Sequence, residues 1–285
     1  MLSLKNICKT FERNTSQSMP ALQDITCTIA EGEFVIIIGA NGSGKSTLLN
    51  VIAGELQPDE GTISLDGADI THRPEFLRAT SVGHVFQNPF QGTCAALSIA
   101  ENLALAARRG LSRGLSKAIT RALRDEYRER LSALKLGLEN RLDQKVGALS
   151  GGQRQALTLL MATFRKPKLL LLDEHTAALD PKSADLIMHL TMDIVATHGV
   201  TTLMVTHSME QLEEKVLKRS MAREGDTKQS RLRLLLMHRG KIILDKASGE
   251  MERMNPRELK HRIDEERKRD LLDERIAELL RRQYV

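Results

Sequence analysis

Gly39-Ala40-Asn41-Gly42-Ser43-Gly44-Lys45-Ser46-Thr47 fits the pattern G-x-x-x-x-G-K-[ST]. Residues of these types at this spacing bind polyphosphate. Glycines let the backbone turn without Cβ clashes, so that successive N–H groups point at an anion. A helix opening at Lys45 adds the positive potential of its N-terminus. Lys45 supplies a mobile cation for the β- and γ-phosphates. The Ser46 hydroxyl can ligate Mg²⁺, an ion that keeps waters and phosphate oxygens as its other ligands.

Leu169-Leu170-Leu171-Leu172-Asp173-Glu174 is a second element. A buried apolar strand ending in two carboxylates holds them at the carboxyl edge of a sheet, where ligands of parallel α/β folds bind. Asp173 is the candidate Mg²⁺ ligand. Glu174 is the candidate general base that polarises an attacking water near a γ-phosphate. Leu149-Ser150-Gly151-Gly152-Gln153 is a third. Ser150 is placed as an N-cap, and two glycines behind it leave a helix start open to a second anion.

These groups need elements to position them. Phe34–Ile38 reads as an unbroken buried strand before the glycine turn, and Lys45–Leu56 as the helix after it. Strand, loop and helix in that order indicate a mainly parallel α/β core. Leu2–Ile7, Ile25–Ile29 and Thr62–Leu65 read as further strands, with a polar turn over Arg13–Ser18. From about Leu97 to Leu142 the chain is helical in character. Gln153–Phe164 has Leu157, Leu160, Met161 and Phe164 on one stripe and stops before Pro167. Lys168–Asp173 and Val200–Val205 read as strands, and Leu232–Met237 with Lys241–Asp245 as a hairpin. Leu212–Ser230 is a charged stretch. The tail from Pro256 is a mixed-charge helix with Leu272, Ile276, Leu279 and Leu280 on one stripe.

Composition sets the outer bounds. The 285 residues include 41% apolar and only 3% aromatic side chains, which calls for an aliphatic core and excludes wholesale disorder. The net charge of +5 is small and selects no partner. Cys8, Cys27 and Cys94 have neither metal-ligand nor disulfide spacing, and are expected to be buried, reduced thiols of a cytoplasmic protein. Neither a signal peptide nor an apolar run of membrane-spanning length is visible.

The three motifs together resemble the nucleotide-binding subunit of an ATP-binding cassette (ABC) transporter, over roughly residues 1–210 and again over 232–245. The resemblance implies an α/β P-loop NTPase (RecA-like) core with an antiparallel β subdomain and an inserted helical subdomain over about residues 92–165. The cassette would span 1–248, with an atypical insertion at 212–230 and a charged helical tail at 249–285. It also implies roles for further residues. Phe11 would stack on adenine. Gln87, in Phe86-Gln87-Asn88-Pro89, would touch Mg²⁺ and sense the membrane subunit. Asp180, in Ala178-Leu179-Asp180, would lie at the dimer interface, and His207 would contact the γ-phosphate. Two subunits would pair head to tail around two ATP molecules, each held between Gly39–Thr47 of one copy and Ser150, Gly151, Gly152 and Gln153 of the other.

Finer features resemble a bacterial branch that works with a permease and a substrate-binding lipoprotein and imports aromatic amino acids or other small solutes. These are His175 where most of the family has Pro, Gly92-Thr93 after the glutamine loop, and Arg109-Gly110 after Glu101-Asn102-Leu103. His207 and Met237 stand 30 positions apart, farther than is usual in the family. The expected function is an ATPase, peripheral on the inner face of the cell membrane, that energises import through a separate permease, with ATP and Mg²⁺ as cofactors and no nucleic-acid partner. Export or lipoprotein release, a soluble non-transport ABC ATPase, and a regulatory nucleotide-binding module without turnover are the alternatives.

Overall fold

Unbroken apolar runs in this chain become strands buried on both faces, and capped amphipathic runs become helices. The computed structural model describes residues 1–12, 18–111, 117–206 and 232–247. The chain runs β1 (Leu2–Phe11), β2 (Met19–Ile29), β3 (Phe34–Ile38), α1 (Lys45–Ala53), β4 (Glu60–Leu65), β5 (Ala68–Asp69), α2 (Glu75–Arg78) and β6 (Val82–Val85). Then follow α3 (Ile99–Ala107), α4 (Arg121–Ser132), α5 (Gly151–Thr163), β7 (Leu169–Asp173), α6 (Pro181–His198), β8 (Thr201–Val205), β9 (Leu232–His238) and β10 (Lys241–Ala247). His207, the 212–230 stretch, the tail at 249–285 and most of the Arg13–Ser18 turn lie outside the described residues.

The chain divides into two compact units. The first holds Met1–Ile52, Leu56–Thr71 and the described residues from Val205 onward. An antiparallel sheet in the order β2-β1-β4-β5 forms one part of it. β3 pairs in parallel with β9, from Phe34 opposite Leu232 to Ile38 opposite Leu236, and β10 folds back antiparallel on β9. Arg233 on β9 fastens this region. Its guanidinium donates to both carboxylate oxygens of Asp245 at 2.6 and 2.5 Å and to the Thr28 carbonyl at 2.6 Å. That fork geometry, which only Arg offers, ties β10 and β2 to one side chain. α1 ends at Ala53 rather than at Leu56 because Gly54 turns into the left-handed region at φ +91°.

The second unit holds Ala53–Glu55 and His72–Met204. β6 pairs in parallel with β7, Val82 opposite Leu169, and β8 lies on the other side of β7. α3, α4 and α5 share a core in which Tyr127, Leu103, Leu131 and Leu157 are fully buried. α5 is buried on nearly every side: Leu157, Leu160, Met161 and Phe164 face this core, and Gln155, Thr158 and Leu159 on other faces are also covered. Arg109 donates to the Met161 carbonyl and Arg130 to the Phe164 carbonyl, each at 3.1 Å. Both cations sit on carbonyls at the helix C-terminus, where the dipole favours positive charge. Parallel pairs with attached helices, a separate antiparallel sheet and a helical cluster make up the expected α/β P-loop arrangement. Of the cysteines, Cys27 is buried as expected, but Cys94 is exposed. It lies in the turn before Ser98, outside any strand or helix, and Cys8 on β1 is only partly covered.

Candidate functional site

In the first unit the phosphate loop joins β3 to α1. The Lys45 ammonium donates to the carbonyls of Gly39 and Ala40, at 3.0 and 2.7 Å. The lysine side chain therefore bridges its own loop. Gly44 needs its lack of Cβ twice over. It sits at φ +96°, and a Cβ there would strike the Ala21 carbonyl oxygen. Ser43 is 3% exposed and its Oγ has no hydrogen-bond partner among the described residues. A buried hydroxyl left over in a loop of convergent N–H groups fits a phosphate oxygen. Ser46 and Asn41 are exposed, Gly39 is buried, and Ala40 and Thr47 are partly covered. The turn between β9 and β10 clasps the loop: the Gly240 amide donates to the Ser43 carbonyl at 3.0 Å, and the Gln23 amide on β2 donates to the Gly240 carbonyl at 2.8 Å. Phe11 ends β1 opposite Met19, whose side chain is exposed.

In the second unit β7 delivers Asp173 and Glu174. Asp173 is buried, and Glu174 takes a left-handed backbone at φ +42°. That conformation strains any residue with a Cβ and marks a constrained position. The Gln87 side-chain amide donates to Glu174 Oε2 at 3.1 Å. The glutamine loop is itself held, because Gln155 on α5 donates to the Phe86 carbonyl at 3.0 Å. Ser150 caps α5 in a reciprocal box. Its Oγ accepts from the Gln153 amide at 3.3 Å, and Gln153 Oε1 accepts from the Ser150 amide at 3.2 Å. A Cβ on Gly152 would come within 2.9 Å of the Ser183 side chain. Asp180 caps α6, accepting from the Ser183 amide at 3.1 Å, and hydrogen bonds from Ser183 hold its carboxyl below the usual range. Gln87 and Glu174 thus meet, and the Ser150–Gln153 turn packs against the start of α6.

The sequence model of the family described as "ABC transporter" matches residues 22–177. A tyrosine transport ATP-binding protein of Clostridioides difficile is 40% identical, over 93% of this chain and 99% of its own length. This chain belongs to the ABC transporter family. It is an ATP-binding, ATP-hydrolysing subunit of that family. The putrescine transport ATP-binding protein PotG of Escherichia coli is 33% identical over 85% of the chain and 56% of its own length. The ATP-binding cassette MJ0796, solved as a dimer in a post-hydrolysis state with ADP and Pi, matches with a TM-score of 0.68 at 29% identity, over 86% of this chain and 98% of that one.

Several residues of this ABC cassette were not singled out for the site from sequence. Gln155 anchors the glutamine loop. Arg154 is 2% exposed, donates to the Val146 carbonyl at 2.9 Å and lies 4.4 Å from the Phe90 ring centre. Both follow the Ser150–Gln153 turn directly, and a polar pair inside an otherwise apolar helix was the available signal. His175 is fully buried, and its burial lowers its pKa to about 4. Among the described residues of the cassette, no helix is long and apolar enough to cross a membrane, and no cluster of three or more acidic, His or Cys side chains forms a metal cage.

Proposed function

We propose that this subunit hydrolyses ATP to energise import of a small solute, of the aromatic amino-acid class, through a separate permease fed by a substrate-binding lipoprotein. Support for the solute class comes from the tyrosine transport relative, which aligns over nearly its whole length. In this reading the protein sits on the cytoplasmic face of the membrane. Residues 1–248 form the nucleotide-binding domain, the helical subdomain covers 92–165, and the sharing of one core by α3, α4 and α5 supports that division.

Gly39–Thr47 cradles the phosphates, with Lys45 on the β- and γ-phosphates. The hydroxyl of Ser46, the Asp173 carboxylate and Gln87 would hold Mg²⁺, which would offset the negative charge of the phosphates. The few protein ligands suit an ion that keeps its waters. Glu174 polarises the attacking water as general base, and His207 contacts the γ-phosphate. Phe11 supports adenine. Ser150, Gly151, Gly152 and Gln153, with Asp180, act on the ATP of a second copy in a head-to-tail dimer. Closure on ATP and opening after hydrolysis would drive the permease as a rigid-body switch.

The observation that carries this reading is the 3.1 Å hydrogen bond from Gln87 to Glu174. It couples the carboxylate best placed for water activation to the loop expected to face the permease. Phosphate release from the purified chain tests the reading. The native protein releases phosphate with Mg²⁺ and ATP, and Glu174→Gln lowers the rate at least about a hundredfold, in line with the loss of a general base. No release from the native chain at any ATP concentration, alone or with its permease, leaves a binding module without turnover.

A further inference from the structure

We propose that His175 is a positioning residue for ATP hydrolysis, fixing Glu174 by pinning its turn to α6 through Thr191. The inference rests on the reading of Glu174 as general base.

The turn begins at Glu174 itself. The Ala177 amide donates to the Glu174 carbonyl at 2.9 Å and the Leu179 amide to the Thr176 carbonyl at 3.3 Å. Glu174 enters this turn with φ +42°, a conformation that relaxes unless its surroundings hold it. His175 is the next residue, and its ring is driven into the protein at 2% exposure. His175 Nε2 lies 3.0 Å from Thr191 Oγ1, and Thr191 Oγ1 lies 2.8 Å from the Ile187 carbonyl. The threonine has one hydroxyl proton and gives it to Ile187. Thr191 therefore accepts from the ring, and His175 carries its proton on Nε2. Thr191 is 0% exposed, so neither partner is replaced by solvent without exposing an unpaired polar atom.

α6 consequently holds the 174–180 segment at both ends. Asp180 caps its first turn, and Thr191 receives His175 three turns farther on. One side of the Glu174 carboxylate is met by Gln87, and its main chain is set by the turn. Loosening the histidine anchor frees the turn and moves the carboxylate, and displacement by about 1 Å is enough to cost a large factor in rate.

Paired substitutions in the full chain separate this from a packing role. Thr191→Val removes the hydroxyl at constant shape and Thr191→Ser keeps it. His175→Asn shortens the donor and His175→Gln keeps its reach. Phosphate release at saturating ATP, ATP affinity by titration and thermal unfolding are measured on each, with Glu174→Gln alongside. Thr191→Val and His175→Asn are expected to lower kcat about tenfold or more with ATP affinity within about twofold of native, while Thr191→Ser and His175→Gln stay within about threefold of the native kcat. Native kcat in a folded Thr191→Val or His175→Asn overturns the proposal. So does an equal fall in both members of a pair, or a fall in kcat matched by lost ATP affinity. If one pair does not fold, the other decides by the same criteria, and failure of all four to fold overturns it in favour of a purely structural contact. Persisting turnover in Glu174→Gln instead shows that the general-base reading is at fault.

Discussion

Lys45 spends two of its three ammonium donors on carbonyls of its own loop and is 5% exposed, so cutting it back removes both a phosphate partner and a brace of the cradle. Lys45→Ala is expected to weaken ATP binding at least about tenfold, which is about 1.4 kcal/mol. Titration with a fluorescent ATP analogue checks it, and unchanged affinity removes Lys45 from the site. Far from that loop, Cys27 on β2 has its thiol pKa raised from 9.0 to about 11, chiefly by burial. Its folded value lies above its unfolded one, so the neutral thiol stabilises the fold fully below pH 9 and that contribution is lost as pH rises from 9 towards 11. The native protein should therefore lose stability relative to Cys27→Val over that window, by an amount on the order of 2 kcal/mol. Denaturant melts of both proteins at pH 8 and 11 read the difference. At this scale sequence is most informative where chemistry dictates type and spacing together, as at Gly39–Thr47 and Asp173-Glu174. It is least informative for Gln155 and Arg154, whose partners are the Phe86 and Val146 carbonyls, 69 and 8 positions away. Nothing about a glutamine inside a helix announces which distant carbonyl it will hold.

Helix starts carry the next set of consequences. Ser150 and Gln153 satisfy one another's amides at the mouth of α5, so Ser150→Ala leaves the Gln153 amide without its acceptor and is expected to cost about 1 kcal/mol of stability. Gly152→Ala places a methyl 2.9 Å from Ser183, and either the start of α5 or that of α6 must shift. Differential scanning calorimetry should find both variants less stable than native, and Gly152→Ala should regain stability when Ser183 is changed to Gly. The strands β3, β7 and β8 follow their apolar runs closely, because five consecutive buried positions leave little freedom. α6 carried its own signals, an Asp cap, Pro181 at the first position and Gly199 past the end at φ 60°, yet its broken apolar pattern hid it from a search for periodicity. α2 and β6, of four residues each, are too short for any period to register.

For the whole molecule, the dimer reading makes a mass prediction. Glu174→Gln with ATP and Mg²⁺ should double the scattering mass of the native chain, because the binding groups persist while water activation is lost. A variant that stays monomeric with ATP, both alone and with its permease, contradicts the head-to-tail arrangement. Phe76 is 72% exposed, and an aromatic side chain presented to solvent offers apolar area to a partner such as the permease. Phe76→Asp, on the short helix α2, should lower ATPase stimulation by the permease at least about fivefold while leaving the basal rate of the isolated chain unchanged. Side-by-side assays with and without permease-containing vesicles test it.

The clasp of Gly240 on Ser43 and of Gln23 on Gly240 also bears on how the protein is made. A ribosome releases the glycine turn almost 200 residues before the segment that buttresses it, and β3 waits equally long for β9. Nascent chains therefore carry an unfinished cradle until Gly240 has emerged, and nucleotide can assist folding of the loop only after that point. Fragments stopped short of Gly240 should emerge from the ribosome unable to retain ATP, however complete their upstream motifs.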